Sequence, residues 1–346
     1  MLAFIIDDHS SSAWGLKNVP DPRLERGDII IKVCRAAICG TDIRSIRYGL
    51  SESQTIIGHE IGGVISKVAT DVEGYQIGDR VAVAPNYGCG LCDECVSGNT
   101  HLCDAYQAFG INLPGGFAEY IRIPEKAVRQ GNVVKLSDHV SYEEAAVNEP
   151  FSCVYSGFEK CQIKPGDDVL IIGAGPIGLM HALLAEMAGA GAVFMNDLNV
   201  DRLKECKLVL PGIDILDDDD LKKTIMKRTG GKGVNVCVTA CPSPAAQTES
   251  LSLMAIGGRV NFFGGIPGKH QPVQLDTNLI HYRQLMITGS TRSSLSQYRK
   301  TLKLIERGKI DLTKLITHRY PFTQISEALD SAGRGIGLKT VIVISE

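Results

Sequence analysis

The stretch Asp168-Val-Leu-Ile-Ile-Gly173-Ala-Gly175-Pro176-Ile177-Gly178-Leu-Met-His-Ala-Leu-Leu-Ala-Glu-Met187 decides the fold. Asp168–Ile172, an aspartate followed by four branched aliphatics, predicts a buried strand, and Ile177–Ala188 predicts a helix. Between them Gly173, Gly175 and Gly178 have GxGxxG spacing, directly after the strand and opening the helix. That is the context in which the motif binds a dinucleotide. The first glycine permits the tight turn, the second lets backbone reach a pyrophosphate, and the third lets helix and strand pack closely. Pro176 and Ile177 start the helix, whose unpaired N–H groups face phosphates. Ala192–Asn196 reads as the next strand and leads into Asp197, 19 residues beyond Gly178. A carboxylate there accepts hydrogen bonds from ribose hydroxyls and repels a 2′-phosphate. The prediction is NAD, with Arg202 keeping NADP as the alternative; Gly264 is assigned as a further cofactor contact.

Outward from this stretch the alternation continues. Asp201–Leu208 is helical, and Val234–Thr239 and Arg259–Phe263 are strands, so 150–288 predicts βαβ units on a doubly wound parallel sheet. Residues 1–144 read as short strands (Ile29–Val33, Gly62–Val68, Arg80–Ala84, Ala118–Ile123) punctuated by proline and glycine, an antiparallel β-rich domain. The segment 289–346, with a helix near Gln297–Arg307 and a strand at Thr340–Ile344, is expected to return to that first domain. Asp217–Asp220, just before Leu221-Lys222-Lys223, reads as a helix cap and not as a cation site.

Composition narrows the function. A chain of 346 residues suits two domains. With 44% apolar and 22% charged residues it is not disordered. A net charge of −3 without a basic tract excludes nucleic-acid or membrane-surface binding by bulk charge. Met1–Ile6 is too short and lacks the basic residues of a signal peptide, and the apolar stretch Val169–Met195 is broken by glycines, Pro176, His181 and Glu186, against a membrane span. Eleven cysteines without a secretion signal point to the cytoplasm and to metal or thiol chemistry.

Cys89, Cys92, Cys95 and Cys103 lie on one glycine-rich loop, a spacing that suits a closed tetrahedral Cys₄ zinc of structural type. A CxxC redox pair would leave Cys95 and Cys103 unexplained. The remaining cysteines (34, 153, 161, 206, 237, 241) read as small apolar packers. A second set is dispersed: Cys39-Gly-Thr41-Asp42, Gly58-His59-Glu60 and Asn148-Glu149-Pro150. Together they offer thiolate, imidazole and carboxylate, a mix that a catalytic zinc uses while keeping one position open.

The order of these motifs, followed by GAGPIG and Thr317-His318-Arg319, resembles that of the zinc-dependent medium-chain dehydrogenases over nearly the whole chain. Within that superfamily Asn148-Glu149-Pro150 is similar to the sorbitol (polyol) dehydrogenase branch. The resemblance implies an α/β chain. A GroES-like catalytic domain (1–149, completed by 289–346) accompanies a Rossmann NAD-binding domain (150–288), with two zinc ions per chain and a homodimer or homotetramer. The implied activity is oxidoreduction between NAD and a secondary alcohol of a polyol, free or phosphorylated. Arg292 matches an arginine near the substrate in polyol dehydrogenases. L-Threonine 3-dehydrogenase is the alternative enzyme, and a non-catalytic NAD-binding regulator is the alternative of another class.

How the carboxylates divide the labour stays open at this level. Adjacent side chains on an extended strand point opposite ways, so His59 and Glu60 both reach a metal only if the chain turns there. Zinc with one thiolate, one imidazole and one carboxylate is neutral, and a second carboxylate makes the set negative. Cys39, His59 and one of Glu60 or Glu149 are therefore expected as direct ligands, with the other acting through water. Zinc lowers the pKa of bound water from 15.7 to about 7 and would acidify an alcohol similarly, while the nicotinamide takes the hydride. The proton is expected to leave by the Thr41 hydroxyl or by water held on a glutamate, unless Thr41 is only a local turn or cap. Asp42 is expected to orient a ligand from behind. Arg44 and Arg47 read as solvated charge in preference to a phosphate clamp. Pocket shape is assembled from 44–56, 105–117 and 290–296, which no motif encodes.

Overall fold

The computed structural model describes residues 1–6, 14–49, 55–218, 220–266 and 272–346. Asp7 and Asp8, residues 50–54 of the expected pocket segment and Asp219 of the acidic run lie outside these. The chain divides into two compact units, Met1–Ser152 with Ser293–Glu346, and Cys153–Arg292.

In the first unit one sheet carries the strands in the order Val133–Lys135, Arg80–Val83, Glu60–Val68, Ile29–Ala37, Lys339–Val343, Ile316–Pro321, with Tyr120–Ile123 also on Ile29–Ala37. Ile29, Ile31, Val33, Ile61, Ile65, Val81 and Val83 form its buried face, so these segments form strands because alternate positions are apolar. The final strand, Lys339–Val343, lies antiparallel to Ile29–Ala37 and parallel to Ile316–Pro321, which ties the C-terminal segment into this sheet.

In the second unit six strands form a wholly parallel sheet. Their order is Asp214–Leu216, Ala192–Asn196, Asp168–Ile172, Val234–Thr239, Met254–Phe262, Met286–Gly289. Counted along this unit that is 3-2-1-4-5-6, the Rossmann order, with its switch point between Asp168–Ile172 and Val234–Thr239. Asp220 caps the helix Leu221–Arg228 by accepting from the Lys223 N–H at 2.9 Å.

One element departs from the sequence reading. Tyr142–Cys161 is a continuous helix through Pro150, although an interior proline removes one hydrogen bond and costs about 3 kcal/mol. Burial of Ala145, Ala146, Val147, Phe151 and Val154 offsets this. Among the described residues no helix is long and apolar enough to cross a membrane.

Candidate active site

Cys39 stands between the strand Ile29–Ala37 and the helix Gly40–Tyr48. His59 and Glu60 sit where the chain enters the strand Glu60–Val68, and Gly58 just before them has φ +94°. That left-handed turn is glycine's province, and a Cβ there would sit 2.8 Å from the Phe117 ring. The turn answers the sequence-level condition: ligand atoms of Cys39, His59 and Glu60 all lie within 4.8 Å of one another. His59 and Glu60 are both buried.

Asp42 braces the group. Its Oδ2 accepts from the Cys39 N–H at 2.8 Å, and its Oδ1 lies 3.6 Å from His59 Nδ1. Burial pushes the Asp42 carboxyl upward. Burial opposes a proton on His59, but the Cys39 thiolate and Asp42 carboxylate outweigh it and hold the imidazole well above its ordinary value. The field around His59 is thus strongly anionic. Asp42 Oδ1, His59 Nδ1 and Glu60 Oε2 are buried without a hydrogen-bond partner among the described residues, and each such group costs about 1–3 kcal/mol. An anionic pocket with orphaned donor atoms and one thiolate is what a divalent zinc ion answers.

Sequence reading missed Lys339. Its Nζ donates to Glu60 Oε1 at 2.6 Å and to the Ile38 carbonyl at 2.8 Å. Burial disfavours its charge, but Glu60 and then Cys39 outweigh burial and raise its pKa. A lysine opening the apolar run Lys339-Thr-Val-Ile-Val343 was the only signal available. Its positive charge changes the earlier count. Glu149 is not among the ligand atoms that lie within 4.8 Å of one another, which are those of Cys39, His59 and Glu60, and the Lys339 ammonium offsets one of the negative charges gathered here.

Glu149 is buried in the proline-containing helix and acts electrostatically on both His59 and Lys339. Its backbone carbonyl accepts from Ser152 Oγ at 2.6 Å, and that hydroxyl also meets Ser293 Oγ at 2.7 Å. Asn148 donates through Nδ2 to the Tyr298 carbonyl at 3.2 Å. Thr41 Oγ1 accepts from Arg44 Nη2 at 2.9 Å, which fills one lone pair and leaves the other and the O–H. Arg47 is exposed and donates to the Gly333 carbonyl at 2.8 Å, so the guanidinium that would complete a phosphate clamp is engaged elsewhere.

Cys89, Cys92, Cys95 and Cys103 also converge, their sulfurs within 4.8 Å. Backbone N–H groups of Leu91 and Cys92 point at Cys89 Sγ (3.4 and 3.3 Å) and lower its pKa to about 6. A thiolate there is prepared for metal at neutral pH.

In the second unit Gly175 caps the helix Pro176–Met187, with Pro176 in its first turn. A Cβ on Gly178 would lie 1.8 Å from the Gly173 carbonyl oxygen, while one on Gly175 would meet nothing nearer than Arg202 Nη1 at 3.9 Å. The third glycine is therefore needed for packing, and the second leaves open space before the backbone. Ile177 is half-buried beside it. Asp197 accepts from the Ala174 N–H at 2.6 Å and the Asn199 N–H at 2.8 Å, which fixes the carboxylate at the turn with lone pairs to spare. The Gly264 N–H donates to the Thr239 carbonyl at 2.8 Å, at the C-terminal end of the neighbouring strand. Cys206 does more than pack: its thiol donates to the Ala174 carbonyl at 3.3 Å. Arg292 belongs to this second unit, with left-handed backbone at φ 56°.

Comparison with known proteins places the chain. The model of the alcohol dehydrogenase GroES-like domain matches residues 25–138, and that of the zinc-binding dehydrogenases matches 176–307. An L-threonine 3-dehydrogenase of Yersinia pseudotuberculosis is 33% identical over 335 residues, covering 94% of this chain and 95% of that protein. One from Bacillus velezensis is 30% identical and covers 98% of each. Among solved structures, an alcohol dehydrogenase of E. coli CFT073 complexed with NADH has a TM-score of 0.88 at 26% identity, covering 99% of each chain. Fold and clusters together define a zinc-type alcohol dehydrogenase. The chain belongs to the zinc-binding, medium-chain alcohol dehydrogenase family.

Proposed function

We propose that the protein oxidises the secondary alcohol of a β-hydroxy amino acid of the L-threonine type, with NAD⁺ as hydride acceptor, zinc held by Cys39, His59 and Glu60, and Glu149 acting beside them through water. The observation that carries this reading is the convergence of half-buried Cys39 with buried His59 and Glu60 in a chain similar to L-threonine 3-dehydrogenases over 94% of its length. When bound, zinc supplies Lewis acidity that lowers the pKa of the substrate hydroxyl. The chain's own residues do the rest. Asp42 holds the His59 imidazole and the Cys39 backbone in place. Lys339 holds Glu60 through one oxygen. Thr41 Oγ1 accepts the substrate O–H through its second lone pair and gives its own hydroxyl proton to water, from which Glu149 takes it up. In the second unit the Gly173–Gly178 turn holds the pyrophosphate. Asp197 selects NAD over NADP by its charge, which repels a 2′-phosphate.

A polyol is the second reading, favoured by Asn148-Glu149-Pro150 and by Arg292 as a partner for distal hydroxyls. Cys89, Cys92, Cys95 and Cys103 would hold a structural zinc. The reading carries with it a cytoplasmic homodimer or homotetramer. The test is NADH formation by zinc-loaded protein with L-threonine, sugar alcohols and their phosphates, with and without chelator. Chelator-sensitive turnover of threonine supports the first reading. Turnover confined to polyols replaces it with the second.

A further inference from the structure

Arg44 is left over by the chemistry above. It lies one turn beyond Thr41 on the helix Gly40–Tyr48, half-buried, with Nη2 2.9 Å from Thr41 Oγ1. Thr41 in turn follows Cys39 by two residues. Among the described residues no carboxylate forms an ion pair with Arg44, and Asp42, two residues before it, is turned to Cys39 and His59. Arg47 donates to Gly333 and does not share this place. A guanidinium stays charged at any working pH and presents five N–H donors in a planar fork that matches a carboxylate or phosphate. Here one of those donors is spent on a neutral hydroxyl. A half-buried cation with no carboxylate partner among the described residues is one that an arriving anion would stabilise.

From this geometry we propose that Arg44 is a specificity-determining residue that binds an anionic group of the substrate beside Thr41; the proposal rests on the oxidation site described above. The position restricts the substrate. An anchor only one side chain away from Thr41 suits an anion close to the carbinol carbon. In a β-hydroxy amino acid the carboxylate carbon is separated from the carbinol carbon by a single atom. A neutral polyol carries no group that needs such a cation. A sugar-alcohol phosphate is the other source of an anion.

The experiment is calorimetric titration of the zinc-loaded protein with NADH present, so that alcohols bind without turning over. The probes are L-threonine, L-threoninol (the same molecule with the carboxylate reduced to an alcohol), and a sugar alcohol with and without its phosphate. Proteins are wild type, Arg44→Gln and Arg44→Lys. We expect Arg44→Gln to weaken L-threonine at least about tenfold, as loss of a charged hydrogen bond does, and to leave threoninol unchanged. Arg44→Lys should fall between, since it keeps the charge but not the fork. If wild type ignores threonine but binds the phosphate in an Arg44-dependent way, the anion anchor stands and the threonine reading fails. If Arg44→Gln weakens charged and neutral members of a pair equally, Arg44 acts only by supporting Thr41, and the proposal is overturned. Unchanged affinity for every anion overturns it too.

Discussion

Removing the charge of Lys339 tests the site's electrostatics most sharply. Lys339 and Glu60 form an ion pair at 2.6 Å with side chains 5% and 0% exposed. Deleting one partner of a buried pair costs about 3–5 kcal/mol, because the other charge stays buried and unpaired. Lys339→Met keeps the stem and removes the ammonium, so a cost in that range is expected in metal-free protein. The Ile38 carbonyl also loses its donor, about 1 kcal/mol of the total. In Glu60→Gln/Lys339→Met neither charge of the pair remains, so the double variant should be more stable than Lys339→Met alone. The coupling energy should approach about 3 kcal/mol. Urea unfolding of wild type, both single variants and the double variant measures it. Zinc loading should shrink the cost of Lys339→Met, since the metal then offsets Glu60. Additive costs within about 0.5 kcal/mol would refute the argument.

Three further outcomes are expected. Burial alone lowers the pKa of His181 from 6.5 to about 3, and its Nε2 has no hydrogen-bond partner among the described residues. The unfolded chain therefore binds one more proton between those values. This stability term is full above about pH 6.5 and is lost as pH falls, at about 1.4 kcal/mol per pH unit. His181→Leu should flatten stability against pH between about 6.5 and 4, and a slope equal to wild type would show that this histidine titrates normally. Gly178→Ala forces a methyl to within 1.8 Å of the Gly173 oxygen; NADH affinity by fluorescence titration should fall more than about tenfold, with about 1–3 kcal/mol lost from overpacking. Cys95→Ser should release one zinc, cost on the order of 4 kcal/mol and speed proteolysis of the loop around 89–103, while the other metal stays.

Much of this was legible in the sequence because local chemistry fixes it. Gly173-Ala-Gly175-Pro176-Ile177-Gly178 after an aliphatic strand has one workable conformation, and four thiols on one short loop have few fates. The helix Tyr142–Cys161 was hidden because Pro150 is a strong local breaker, overruled by the burial of Ala145, Val147 and Phe151. Lys339 was hidden because its partner is 279 residues away, a pairing made by the tertiary fold with no local signature. The His59–Glu60 geometry was legible only as a condition, and the left-handed Gly58 meets it.

The central claim is that Cys39, His59 and Glu60 hold a catalytic zinc distinct from that of the four-cysteine loop, with Glu149 acting beside it. Metal content per chain, measured on wild type and on Cys39→Ser, with turnover followed in parallel, tests it directly. The account predicts two zinc ions in wild type, one in the variant, and turnover abolished with NADH binding intact. A single zinc in wild type, or a Cys39→Ser variant that keeps both zinc and turnover, would contradict it and favour a non-catalytic NAD-binding protein or a different ligand set.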